Sequence, residues 1–461
     1  MKIGIDFGTT HTTAAVYDGG KLEMIPLDPL NSDPLLLRSM IYVTRNHEVF
    51  LGMKGVQNFL KHDTGRPVVM QERVVGTIET TVARAGRGPL DPDGPITIIY
   101  DALIDEDVGM RGRLLQSIKT GMRSASYDGT KIFGQYFTVQ ELVALLLKYV
   151  HVKVEEFVGQ KVTEATFGRP VFFAENLKED QIAEARLAEA AKMAGFDTVS
   201  FVQEPVAAAH FYLSKTDQPE RVLVFDFGGG TLDFTIINTD GKNTNIEILA
   251  THGVDVGGDN FDKAIMKHTI APHLGVDSYI DIDYDDRKIP FPRPSAALLE
   301  QWTTIPMLSR PKQLKIIEDA IKYGQSPDKF RALYNVVTKN YGFMLFEEIE
   351  QAKIRLSDSE ETFVQMQVEQ VELDARLTQR TFNRNINLEF VQVRKGLAEV
   401  VQLAGLRADE IDTIVTTGGS SRIPLFRQLL MDEFSDAKLV HSDTFGSVAA
   451  GLAVFAAGEG S

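Results

Sequence analysis

The chain has no cysteine among its 461 residues and a single tryptophan. Without cysteine there is no disulfide, no thiolate nucleophile and no thiolate-ligated zinc or iron–sulfur centre, which fits a reducing compartment. Positive charge is scarce beside negative: 48 Lys and Arg stand against 64 Asp and Glu, for a formal net charge of -16. A general nucleic-acid or anionic-membrane surface is therefore not expected. An acidic protein still serves a phosphate ligand where backbone amides and a metal carry the local electrostatics. No apolar run reaches the ~18 residues of a membrane-spanning helix. The opening stretch, residues 1–6, has no apolar segment of signal-peptide length before its first carboxylate. These absences point to a cytoplasmic protein without a membrane or nucleic-acid partner, and they leave its oligomeric state open.

What is present is a repeated phrase. An apolar strand from Lys2 ends at Asp6, Gly8-Thr9-Thr10 makes a turn, and Thr12 to Tyr17 reads as the next strand. Near the middle, Arg221 to Phe225 leads into Asp226, then Gly228-Gly229-Gly230-Thr231, then a strand from Leu232 to Ile237. Strand, Asp, Gly-rich turn, strand occurs twice at a distance that suits two similar lobes rather than a stacked array. Long helices are predicted at 176–194, 346–356 and 388–403, the first with Asn176 and Glu179 as a capping box and Gly195 as its stop. Alternation of strands and helices argues for an α/β architecture. Residues 84–112, dense in Gly and Pro, and residues 283–312, dense in Pro, read as irregular insertions.

The repeated turns carry the chemistry. Glycine admits a phosphate close to the backbone, successive amides cradle it, and Thr hydroxyls add donors. A carboxylate at the strand end holds a hydrated Mg²⁺ rather than the phosphate itself. One such turn is ordinary, but two led by Asp6 and Asp226 would grip one metal–triphosphate from both sides. A third glycine pair, Gly418-Gly419, follows the apolar strand 411–415, and Gly257-Gly258 precedes Asp259-Asn260. On the helix at 346–357, Glu350, Lys353 and Ser357 share one face.

These segments resemble the heat shock protein 70 (DnaK-type) family. Gly4-Ile5-Asp6-Phe7-Gly8-Thr9-Thr10 is similar to its first phosphate motif, and residues 225–233 resemble the second. Gln203-Glu204-Pro205-Val206-Ala207-Ala208-Ala209, Gly257-Gly258-Asp259-Asn260-Phe261-Asp262, Glu350-Gln351-Ala352-Lys353 with Ser357, and residues 415–424 follow in the family's order. The resemblance implies a two-lobed actin-like ATPase fold built from duplicated ribonuclease-H-like domains, with ATP or ADP and Mg²⁺ in the central cleft and K⁺ as an optional second cation. It implies that Asp6 and Asp226 hold Mg²⁺ through water, and that Thr9, Thr10, His11 and the turn Gly228, Gly229, Gly230, Thr231 bind the phosphates beside Gly8. Glu204 would orient or deprotonate the attacking water. Lys119, within Ser117-Ile118-Lys119-Thr120-Gly121, is the best counterpart of the catalytic lysine. Gly257, Gly258, Glu350, Lys353, Ser357, Gly418, Gly419, Ser420 and Arg422 would surround the adenosine.

The implied lobes are 1–205 and 206–442, with a helical insertion at about 262–345 and a final helix, 443–461, returning to the first lobe. Three departures stand out. Ile354 occupies a place where the family has an adenine-stacking Arg. Phe445 stands where the family has an Asp, with Asp443 two residues early. The family's linker and β-sandwich peptide-binding domain have no counterpart before Ser461, so the expectation is a member with the ATPase part alone. The activity expected is slow ATP hydrolysis, with lobe closure signalling to an unidentified protein partner. A small-molecule kinase on the same fold, or a non-catalytic scaffold or filament former, are the alternatives.

Overall fold

The structure is a computed structural model and describes residues 1–84, 94–174, 176–214, 218–241, 246–281, 288–441 and 446–458. Asp443 and Phe445 lie outside the described residues.

The chain opens with the strands β1 (Lys2–Phe7), β2 (His11–Tyr17), β3 (Leu22–Met24), β4 (Leu37–Arg38), β5 (Ile41–Thr44) and β6 (Val49–Leu51). Helix α1 (Gly52–Asp63) follows, then β7 (Met70–Arg84), β8 (Gly94–Asp107), β9 (Gly112–Leu115) and the short α2 (Ile118–Met122). A hairpin of β10 (Gly129–Ile132) and β11 (Gln135–Thr138) leads into α3 (Val139–Val158), β12 (Glu164–Arg169), α4 (Leu177–Ala194), β13 (Thr198–Gln203) and α5 (Glu204–Leu213). The first sheet runs β13-β12-β1-β2-β3, with β4 also on β2. Strands β1, β12 and β13 are parallel, and β2 and β3 return antiparallel.

The second half repeats that order. Strands β14 (Glu220–Phe227), β15 (Leu232–Thr239) and β16 (Ile246–Val254) form a meander, followed by helix α6 (Gly258–Ile265), the hairpin β17 (Tyr279–Asp281) with β18 (Lys288–Pro290), and helices α7 (Arg293–Ala297), α8 (Pro311–Tyr323), α9 (Pro327–Thr338) and α10 (Gly342–Asp358). Next come β19 (Glu361–Val368), β20 (Val371–Thr378), α11 (Gln379–Asn385), α12 (Asn387–Leu403), β21 (Thr413–Thr417), α13 (Pro424–Glu433), β22 (Lys438–His441) and α14 (Ser447–Gly458). The second sheet is β16-β15-β14-β21-β22, again with three parallel strands and two antiparallel. Two sheets of one topology make this the two-lobed actin-like ATPase fold expected from the sequence.

Each lobe has its own apolar core, and a third cluster joins them. Helices α5 and α14 form that joint through small residues. A Cβ on Gly451 would collide with the backbone carbonyl of Ala207, and one on Gly4 with that of Ala449, so both helices sit backbone-close to their neighbours. Helix α14 packs on β1, β2 and β12 as well as on α5.

Some expectations changed. Of the expected irregular stretch 84–112, residues 85–93 lie outside the described residues and 94–107 form a regular strand: β7 and β8 pair antiparallel from Met70↔Asp107 to Arg84↔Gly94. The sequence there is rich in Val, Ile and Thr, residues that favour strands. Most of the Gly and Pro residues that suggested irregularity fall between the two strands, at 86–92. Of the expected irregular stretch 283–312, residues 283–287 lie outside the described residues; Pro290 ends β18, Pro292 precedes α7, and Pro294, Pro306 and Pro311 sit in the first turns of helices, where a missing N–H costs nothing. The start of α4 is capped by one bond, Lys178 N–H to Asn176 Oδ1 at 2.9 Å, and not by a reciprocal box with Glu179. Helix α10 begins one turn before its expected start.

Candidate functional site

A cavity of about 250 Å³ lies between the lobes, lined by both Gly-rich turns. The two turns are built alike. Gly8 N donates to His11 O at 2.9 Å, and Gly228 N to Thr231 O at 3.0 Å. They face each other closely, since a Cβ on Gly229 would stand 2.6 Å from Thr10 Cγ2 and one on Gly230 3.6 Å from Thr9 Oγ1. The loop after β21 packs beneath the second turn. Gly418 sits at φ +80, where a Cβ would meet Phe227's carbonyl, and Ser420 Oγ donates to Gly228 O at 2.9 Å. Gly258 N and Asp259 N donate to the carbonyls of Gly228 and Gly229 at 3.1 and 2.8 Å.

Between the turns lies a knot of charge. Lys119 on α2 donates to Glu204 Oε1, the first residue of α5, at 2.7 Å. Asp6 and Asp226 end the central strands of the two sheets. Burial, with Glu204 adding to it against the pull of Lys119, raises Asp6 from 3.8 to about 7. Burial and the carboxylates of Glu204, Asp233 and Asp6 push Asp226 well above the ordinary range. Asp233, opposite Asp226 in the hairpin register, is raised to about 7, by burial and then by Glu204. Burial opposes the charge on Lys119, but Glu204 and Asp6 outweigh it and raise the ammonium.

Four carboxylates thus face one ammonium, an excess that suits a hard divalent cation with oxygen ligands. Among the described residues no three His, Asp or Glu converge to ligate a metal directly.

Of the residues expected at the adenosine, Gly258 opens α6, and Glu350, Lys353 and Ser357 lie on α10. Lys353 pairs with Asp262 at 2.8 Å and donates to Gly258 O at 3.2 Å. Arg38 of the first lobe reaches across to Glu347 with two bonds, 2.6 and 2.8 Å, and to Glu350 at 3.3 Å. Burial drives the carboxyl of Glu350 up, but Arg38 and Lys353 outweigh it and hold it low. His11 is lowered to about 4 by burial, with Glu350 pulling it up and Arg38 pushing it down, so its ring is neutral at pH 7.

The structure brings together Asp6, Gly8, Thr9, Thr10, His11, Lys119, Glu204, Asp226, Gly228 to Thr231, Gly258, Glu350, Lys353, Ser357, Gly418, Gly419 and Ser420 as cavity lining. It leaves two expected residues off the lining. Gly257 is packed against the backbone of Gly229 and Gly230. Arg422 lies 3.7 Å from Asp358 with its side chain 48% exposed. Ile354 does line the cavity. Residues without a role in the sequence reading also belong here: Asp233, Arg38, Arg123 and Phe172. Asp233 was detectable as the cross-strand partner of Asp226; Arg38 was not, since its partners lie more than 300 positions away.

Comparison with known proteins agrees with this geometry. The model of the Hsp70 protein family matches residues 115–290 and 338–458, more than half of the chain. The protein named "Chaperone protein dnaK" from Cyanidioschyzon merolae (strain NIES-3377 / 10D) is 24% identical over 442 residues, covering 93% of this chain. The chain spans 57% of that relative's length. Twin sheets, facing glycine turns and this match in order along the sequence have one common reading: the chain belongs to the Hsp70 family.

Proposed function

We propose that the protein binds ATP in the inter-lobe cavity, hydrolyses it slowly to ADP and phosphate, and uses the resulting change in lobe angle to act on a protein partner. The observation that carries this reading is the Lys119–Glu204 pair, 2.7 Å apart, lining the cavity with Asp6 and Asp226 and within electrostatic reach of Asp233. Phosphoryl transfer to water needs neutralised charge, fixed positions and modest base assistance. In the proposed step a water oxygen bonds to the terminal phosphorus while the bond to the bridging oxygen breaks, and that electron pair leaves with ADP. Glu204 accepts the water's proton. Lys119 holds Glu204 in place and faces the charge of the transferring group. Asp6 and Asp226 would hold Mg²⁺ through water, and when bound it neutralises phosphate oxygens. The Gly8–Thr10 and Gly228–Thr231 turns bind the phosphates, and His11 offers them a neutral ring. Helix α10 and the 418–420 loop enclose the nucleoside.

The small-residue joint of α5 and α14 supports the coupling to lobe angle, because both lobes meet there and nucleotide touches both. The test is single-turnover hydrolysis of Mg-ATP by acid quench. Glu204→Gln should lower the rate by about 10²-fold or more, and Asp226→Asn should weaken Mg-dependent turnover. A wild-type protein that binds ATP but never cleaves it would sink the hydrolysis step. Consumption of ATP only in the presence of a polyol would replace water with that acceptor.

A further inference from the structure

The cavity continues past Lys119 along α2. Lys119 and Arg123 are four residues apart, so they share a helix face, and both line the cavity. Their partners differ. Lys119 is engaged by Glu204 at hydrogen-bond distance and its side chain is only 9% exposed. Arg123 faces Asp255 of the second lobe at 3.6 Å, beyond hydrogen-bond length, with side-chain exposures of 37% and 79%.

Both ends of this loose pair are firmly mounted. Arg186 donates to Met122 O at 3.0 Å and to Ser124 O at 2.9 Å, and so clamps the backbone on either side of Arg123. Its other nitrogen bonds Asp128 at 2.8 Å. Asp255 lies between β16 and Gly257-Gly258, the segment that hydrogen-bonds to the second phosphate turn. The pair therefore ties the lobes together on the Lys119 side of the cavity. It also puts a guanidinium with spare donors one helical turn outward from the reacting centre. A planar guanidinium binds a phosphate dianion with two parallel bonds, which a single carboxylate at 3.6 Å does not match.

We propose that Arg123 is the holding site for orthophosphate leaving the catalytic centre, and that phosphate takes Arg123 from Asp255 and so releases this tie between the lobes. No covalent bond changes in this step; the ligand is the oxyanion itself. Its physiological role rests on the hydrolysis proposed above, but the binding does not, and the test keeps them apart.

The protein loaded with Mg-ADP is titrated with inorganic phosphate and followed by ³¹P NMR, beside acid-quench turnover on the same samples. Wild type should bind one phosphate saturably. Arg123→Ala should weaken binding by about tenfold or more, and Arg123→Lys should recover part of it. Asp255→Asn removes the competitor and should tighten binding about two- to fivefold. Phosphate affinity within twofold of wild type in Arg123→Ala overturns the inference, whatever the turnover. So does Asp255→Asn weakening phosphate as Arg123→Ala does, since the pair would then be a structural tie alone. Absence of turnover in wild type with these affinity shifts intact overturns the hydrolysis reading and leaves the phosphate site standing.

Discussion

Replacing Asp6 with Asn should stabilise the ligand-free protein at neutral pH while abolishing its response to magnesium nucleotide. Burial, and then Glu204, move the Asp6 carboxyl from 3.8 to about 7. The unfolded chain gives up this proton near pH 4, whereas the folded protein keeps it until about pH 7. Between those values the folded state holds more protons, so stability falls as pH rises and levels off above 7. At about 1.4 kcal/mol per pH unit the full effect is ~4 kcal/mol. Water entering the cleft screens it, which leaves ~2 kcal/mol as the expected gain of Asp6→Asn at pH 8. Asp233 shifts to about 7 as well and adds to the wild-type slope in the same direction. The assay is urea unfolding of the nucleotide-free protein at pH 5, 6, 7 and 8, repeated with Mg-ADP. Wild type should lose stability from pH 5 to 7 and regain it when loaded; Asp6→Asn should show a shallower slope and little gain. A less stable variant at pH 8, or an unchanged slope, would refute a destabilising ionised carboxyl at Asp6.

Two further outcomes follow from packing and pairing. Gly451→Ala drives a Cβ into the Ala207 carbonyl at the α5–α14 contact; thermal unfolding should show a loss of about 1–3 kcal/mol, and no loss would mean the helices separate freely. Arg38→Ala breaks a bidentate pair between lobes, with the guanidinium 11% exposed. Release of a fluorescent ADP analogue in stopped flow should quicken about tenfold, and an unchanged rate would dismiss this pair as a restraint on opening.

The repeated hairpins were legible because everything that defines them is local: an apolar strand, an Asp, a glycine turn, a second strand. Helical spacing put Glu350, Lys353 and Ser357 on one face of α10, but it was the family resemblance, and not the spacing, that marked that face as part of the site. Strand β8 was misread because the Gly and Pro at 86–95 outweighed the Ile, Thr and Tyr that follow them. Arg422 was assigned to the adenosine by its place within the motif at 415–424, and its 3.7 Å contact with Asp358 has no signal in that motif. Arg38 and Arg123 left no local trace. Their significance arises only when the second lobe brings Glu347 or Asp255 opposite them. Contacts across lobes are what a linear pattern does not encode.

The hairpins match residue for residue, with Asp6 opposite Thr13 in one and Asp226 opposite Asp233 in the other. Each half of the molecule is thus a natural substitution of its twin, and the chain carries its own control. Where one half places a hydroxyl, the other places a carboxylate; where one turn closes on His11, the other closes on Thr231. An asymmetric ligand held by such a pair has a head side and a tail side. Exchanging Thr13 and Asp233 between the halves would ask which residue makes that distinction, without importing a single foreign side chain.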